Sequence, residues 1–134
     1  MYSRFATVFR NATTAAVVAI LAAACHPQTP GASSAERGAL PTMERVMKGA
    51  NACWFKAGDP AFASYQLAPE LNSYTGRPRI LVVERRNPSG RPLLVVQAEG
   101  SPAKMDAFGP MMNGAQAARI TRDVTRWGSG SSGC

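Results

Sequence analysis

Cysteine, histidine, carboxylate and arginine are the side chains here whose types could carry chemistry, and their spacing limits what that chemistry is. The chain has three cysteines, Cys25, Cys53 and Cys134, and one histidine, His26. A nucleophilic dyad or triad built on imidazole needs that ring beside the nucleophile, so none is expected beyond residue 26, and no catalytic residue is assigned. Zinc favours thiolate and imidazole, and carboxylates alone serve it poorly, so neither a metal site nor a cofactor is expected. Asp59, Glu70, Glu84, Glu99 and Asp106 are the carboxylates from which a glycosidase-type acid and base pair would be drawn, but their spacing singles out no two. Gly128 to Gly133 has the spacing of a dinucleotide-binding glycine loop. Such a loop works between a strand and a helix whose N-terminus meets the pyrophosphate, and this one follows a helical pattern instead, so it is read as a flexible tail.

Arginine is the more suggestive residue. Arg77, Arg79, Arg85, Arg86 and Arg91 crowd around one predicted hairpin, and guanidinium groups suit bidentate contact with phosphate or carboxylate. The expected anion-binding set is Arg79, Arg85, Arg86 and Arg91. The competing reading is that these charges guard an apolar hairpin against edge-to-edge aggregation. Arg119, Arg122 and Arg126 fall on one face of a later helix and are expected to be a solvated stripe.

The beginning of the chain explains its cysteine count. Arg4 and Arg10 precede an uncharged run from Asn11 to Ala24 that contains Ala15-Ala16-Val17-Val18-Ala19-Ile20-Leu21, the layout of a signal peptide. A spanning helix needs about 20 predominantly apolar residues, and this run is shorter and ends in small ones. Residues 1–24 are therefore expected to be removed. Leu21-Ala22-Ala23-Ala24-Cys25 resembles the lipobox of bacterial lipoproteins, although Ala22 stands where that family usually has a larger aliphatic residue. The resemblance implies that Cys25 carries the lipid and anchors the protein in a membrane. His26 after it, rather than aspartate, resembles the pattern sorted to the outer membrane, on its periplasmic face. Ala22-x-Ala24 also suits ordinary signal peptidase, and the alternative is a soluble secreted or periplasmic protein. Thiols pair in an oxidising compartment, so lipid on Cys25 leaves Cys53 and Cys134 to form a disulfide. Closing about 80 residues in this way contributes about 4 kcal/mol in the chain-entropy account.

The formal net charge is +7. Two of the fifteen basic residues precede Cys25, which leaves thirteen against eight acidic and a net charge of +5 on the 110 residues that follow residue 24. That length makes one small domain. Basicity favours anionic lipid, lipopolysaccharide or cell-wall polymer, and export argues against nucleic acid. The tract from His26 to Pro41 is rich in Pro, Gly, Ser and Ala and is expected to be a tether over residues 25–41.

The remaining pattern predicts a single α+β domain over residues 42–134, a small antiparallel sheet of about three strands packed by N- and C-terminal helices. Thr42 is the expected N-cap of a helix with Met43, Val46, Met47, Ala50, Cys53 and Trp54 on its apolar face, stopped by Gly58-Asp59-Pro60. Phe62, Tyr65 and Leu67 predict a short strand ending before Pro69. Ile80-Leu81-Val82-Val83-Glu84 and Leu93-Leu94-Val95-Val96-Gln97 flank Asn87-Pro88-Ser89-Gly90, a type I turn signature, and predict a β-hairpin covered at least partly on both faces. Ser101-Pro102 reads as the start of a short helix through Met105 and Phe108, and Ala117, Ile120, Val124 and Trp127 predict a final helix. Cys53-Trp54-Phe55-Lys56, the stretch Tyr65 to Tyr74 and Gly76-Arg77-Pro78-Arg79-Ile80 are similar to small uncharacterised lipoproteins of alphaproteobacteria, which implies an envelope location and no known reaction. The leading expectation is a non-enzymatic envelope lipoprotein with a binding or scaffolding role. The competing class is a small periplasmic hydrolase acting on cell-wall glycan.

Overall fold

The computed structural model describes residues 35–134. The signal peptide, Cys25, His26 and most of the expected tether lie outside the described residues.

The fold is α+β, and the described residues form four antiparallel strands in the order β1-β2-β3-β4 and two α-helices. Helix α1 spans Ala39–Ala50, and strand β1 spans Tyr65–Glu70. Strands β2 and β3 are Arg79–Glu84 and Leu94–Glu99. Strand β4 is Lys104–Phe108, and helix α2 is Ala117–Gly128. Every strand pairs with its neighbour in sequence, so the sheet is a meander.

Both helices pack on one face of that sheet. Pleating sends alternate side chains to that face, where Ile80, Val82, Leu94 and Val96 are fully buried against Met43, Val46, Ile120 and Trp127. On the opposite face Leu81 and Val95 lie side by side in register with Ala68 and Phe108. Val83 and Val95 are buried there too, so the unbroken apolar runs do report cover on both faces.

Helix α1 begins three residues before Thr42. Its N-cap is Gly38, which offers no side chain, and Thr42 is instead buried within the helix, accepting a hydrogen bond from Arg45. The end of the expected tether is therefore part of the fold. Pro41 is tolerated because a first-turn amide has no intrahelical partner. After Ala50 the helix widens into a π-helical turn, Asn51–Lys56, whose buried residues are Cys53 and Trp54.

Two strand assignments differ from expectation. Strand β1 runs through Pro69 because it is an edge strand, where a missing amide donor is harmless. The expected helix after Ser101 is instead a turn with a cis Ser101–Pro102 bond followed by β4. Met105 and Ala107 alternate inward with exposed Lys104, Asp106 and Phe108, a strand period that the serine-proline pair obscured. At the end of β4, Gly109 has φ +122° and passes so close to the hairpin that a Cβ would lie 2.6 Å from the Leu93 carbonyl oxygen.

An aromatic cluster ties the helical layer together. Trp54 stacks on Phe62 at 4.5 Å and meets the Trp127 ring edge-on at 5.1 Å. Both indole N–H groups find partners, Trp54 donating to Asp123 and Trp127 to the Gly133 carbonyl. Gly49 is required where the helices cross, since a Cβ there would sit 2.3 Å from the Trp127 ring. Cys53 and Cys134 form a disulfide. Arg126 donates to the carbonyls of Gly133 and Cys134, so the glycine-serine tail expected to be flexible is fixed at its far end.

Candidate functional site

The sheet sorts the five arginines expected around the hairpin into two sets at opposite ends. Arg79 opens β2, and its Nε donates to Glu70 at 2.6 Å, while Arg77 pairs with Glu99 at 2.8 Å. Arg85, Arg86 and Arg91 lie at the other end of the strand, in the loop between β2 and β3, and all three are exposed. Arg79 is thus not brought together with the other three residues of the expected anion-binding set.

The loop carrying Arg85, Arg86 and Arg91 is well held. The Gly90 amide donates to the Asn87 carbonyl at 3.0 Å, closing the expected four-residue turn, and the Leu93 amide bonds Val82 at 2.9 Å. At its base the Arg85 amide donates to the carbonyl of Ser64, just before β1, and its guanidinium to the carbonyl of Tyr65, the first residue of β1. A shallow cleft of about 560 Å³ lies there, lined by Ser64, Tyr65, Glu84, Arg85 and Arg86. Arg86 and Arg91 have no ion-pair partner among the described residues, and the Arg85 guanidinium bonds a neutral carbonyl. Three guanidinium groups in seven residues, free of carboxylate partners among the described residues, form a cationic tip on a hydrogen-bonded loop. Ser64 and Tyr65 join it through the tertiary fold, and no signal in their own sequence marks them.

The helical arginines are a different case. Of the expected stripe only Arg122 is exposed, Arg119 and Arg126 being partly buried. Arg119 pairs with Asp59 and Asp123 and lies over the Phe62 ring at 5.7 Å, and Arg126 pairs with Asp123 and lies over Trp127 at 5.6 Å. The Arg119 hydrogen bond holds the Asp59 carboxyl below the usual carboxylate range, against the opposing effect of burial, and the same bond raises Arg119. These charges fasten elements together and do not await a ligand.

The carboxylates are dispersed as well. Asp59, Glu70 and Glu99 are each engaged by an arginine. Glu84 and Asp106 sit on strands separated by β3, with Asp106 in register with Gln97 and Gln97 with Arg79, five residues from Glu84. That offset alone puts them on the order of 15 Å apart, beyond the 5–9.5 Å of a glycosidase pair. Among the described residues no group of three His, Cys, Asp or Glu side chains is placed to hold a metal ion, and no helix is long and apolar enough to cross a membrane.

Comparison with known proteins finds no family model, no curated protein and no solved structure that matches the chain.

Proposed function

We propose that this is a non-enzymatic cell-envelope lipoprotein, anchored through lipid on Cys25, probing its surroundings with a cationic loop. Its ligand is an anionic envelope component, held by Arg85, Arg86 and Arg91. One observation carries the binding reading: these three arginines flank one hydrogen-bonded turn with no carboxylate partner among the described residues, whereas Arg77, Arg79, Arg119 and Arg126 are each paired with one. A charge already neutralised in the fold offers little to a ligand, and an unpaired one at a protruding tip offers most. The scatter of the carboxylates supports binding over hydrolysis.

The test compares the triple reversal R85E/R86E/R91E with R119E/R122E/R126E in binding to polyglutamate and to anionic vesicles, at moderate and high salt. Loss confined to the hairpin variant, with wild-type binding weakened by salt, is the expected result, because screening acts over about 10 Å at 0.1 M. Equal loss in both variants would mean diffuse electrostatics without a site. Anchoring is tested separately, by mass spectrometry of the exported protein: an N-terminal Cys25 carrying acyl chains is expected, and an unmodified Cys25 or another first residue would remove the lipoprotein reading.

A further inference from the structure

Two clefts meet at the end of the sheet where the β2–β3 loop emerges, and Tyr65 is a wall of both. The first is the cleft at the base of the loop, which Arg85 and Arg86 line together with Glu84 and Ser64. The second, of about 420 Å³, is lined by Ala61, Tyr65, Leu93, Pro110 and Met111, with Gln116 as its one amide side chain and no charged side chain. Tyr65, Leu93 and Met111 are each only partly buried. The fold holds these walls in place. Asp59 accepts from the Ala61 amide at 2.9 Å, and Phe62, next in the chain, is buried in its stack on Trp54. The Met111 amide donates to the Leu93 carbonyl at 2.9 Å, which fixes the turn Pro110–Asn113 against the hairpin. The Arg85 guanidinium bonds the Tyr65 carbonyl at 3.0 Å, so this cation is fastened to the residue that the clefts share.

We infer, on the reading that the hairpin arginines hold an anion, that the two clefts form one bipartite site and that its ligand is a single-chain amphiphile with a monoanionic head, such as an alkyl carboxylate. The head sits on Arg85 and Arg86, and the alkyl chain passes Tyr65 into the cleft of Leu93 and Met111. Charge sets the head. Two guanidinium groups and the Glu84 carboxylate leave the first cleft one net positive charge, so a single negative charge is balanced there and a second would meet Glu84 unpaired. Arg91 is not among the walls and adds only long-range attraction. Apolarity sets the tail. Small-ligand pockets run from about 300 to 1,000 Å³ and are mostly apolar with a few placed polar groups, the make-up of these two clefts taken together. A polymer of repeated carboxylates would satisfy the arginines and leave Leu93 and Met111 in water, whereas an alkyl chain withdraws its own apolar surface and theirs.

The test is isothermal titration of the chain from residue 25 with Cys25→Ser, which leaves every described residue intact, against hexanoate, octanoate and decanoate, with octanol as the uncharged control. Affinity is expected to rise about two- to fourfold for each added methylene, since each is withdrawn from water. R85E/R86E should weaken octanoate at least about tenfold, the loss of one charge-assisted hydrogen bond, and R91E less than about threefold. E84Q should tighten it about two- to fivefold by removing an exposed like charge. A Cβ at Gly114, on the wall of the apolar cleft, would meet only the Met111 carbonyl oxygen, at 3.8 Å, so G114F adds a ring there without crowding the backbone. A115F, from an exposed position on the same wall, is a second such variant. Each should bring decanoate down to the affinity of hexanoate and leave hexanoate unchanged, with circular dichroism checking that the variants stay folded. Carboxylate binding that depends on the arginines but not on chain length, or a chain-length dependence that survives both ring substitutions, overturns the bipartite site while the anion-binding function stands. So does octanol binding as tightly as octanoate, or binding to anionic vesicles and polyglutamate without binding to any of these carboxylates. No binding to carboxylates, vesicles or polyglutamate overturns the proposed function itself.

Discussion

The helical layer and the β2–β3 hairpin use the same residue type to opposite ends. In the helical layer, Arg119 joins α2 to the turn before β1, Arg126 holds the last carbonyls of the chain, and Arg45 donates to Thr42 and to the Gly128 carbonyl at the end of α2. In the hairpin, Arg86 and Arg91 make no side-chain hydrogen bond or ion pair among the described residues. The helical layer also holds the disulfide and the stacked aromatic rings. The difference teaches that a charge's role here follows from what the fold brings to it and not from its place on a helix face or a loop.

That contrast can be broken by experiment. Removing the disulfide with C53A/C134A has the largest expected effect, a loss of about 4 kcal/mol in denaturant unfolding, because an 81-residue separation is no longer closed in the unfolded chain. Anion binding of the still-folded variant should be unchanged, and a parallel loss of binding would mean that the two regions are coupled. Gly49→Ala comes next, at about 2 kcal/mol, since its methyl would enter the Trp127 ring. Near-ultraviolet circular dichroism should change with it.

Asp59→Asn is expected to cost less, about 0.5–1 kcal/mol at neutral pH, because Arg119 is about a third exposed and solvent screens the pair. The sign of its pH dependence follows from the depressed carboxyl. A native value below the unfolded one gives stability that is present above about pH 4 and lost as pH falls through the native value. The gap between wild type and Asp59→Asn should therefore shrink on acidification below about pH 4, and a gap that widened would contradict the assignment. The smallest effect on stability belongs to R85E/R86E/R91E, within about 0.5 kcal/mol of wild type. A much larger loss would mean that these arginines hold the fold after all.

Much of this architecture is legible in the sequence where the signal is local. The runs around Val82 and Val95, the Asn87 to Gly90 turn and the final helix follow from β-branched content, turn chemistry and period. Pairing Cys53 with Cys134 follows from removing Cys25 by resemblance and counting what remains. What the sequence conceals is set by contacts distant along the chain. Arg119 looks like solvated surface because Asp59 lies 60 residues away, and Arg79 looks like part of the hairpin patch until Glu70 is brought beside it. The start of α1 is hidden because Gly38 gives no side-chain cap, and Thr42 supplied a plausible false one. Strand β4 is hidden by Ser101-Pro102, which reads equally as a helix start and as a turn.

The meander has a consequence for the order in which the chain acquires its structure. Each strand pairs only with its sequence neighbour, across connections of ten residues or fewer, so the sheet is assembled from contacts of low separation. The two helices that cover it are the first and last elements of the described residues, and the bond from Arg45 to Gly128 spans 83 residues. Loop-closure entropy makes such contacts the slowest to be rewarded. Destabilising substitutions in β2 and β3 should therefore mainly slow folding, whereas those at the crossing of α1 and α2 should mainly speed unfolding.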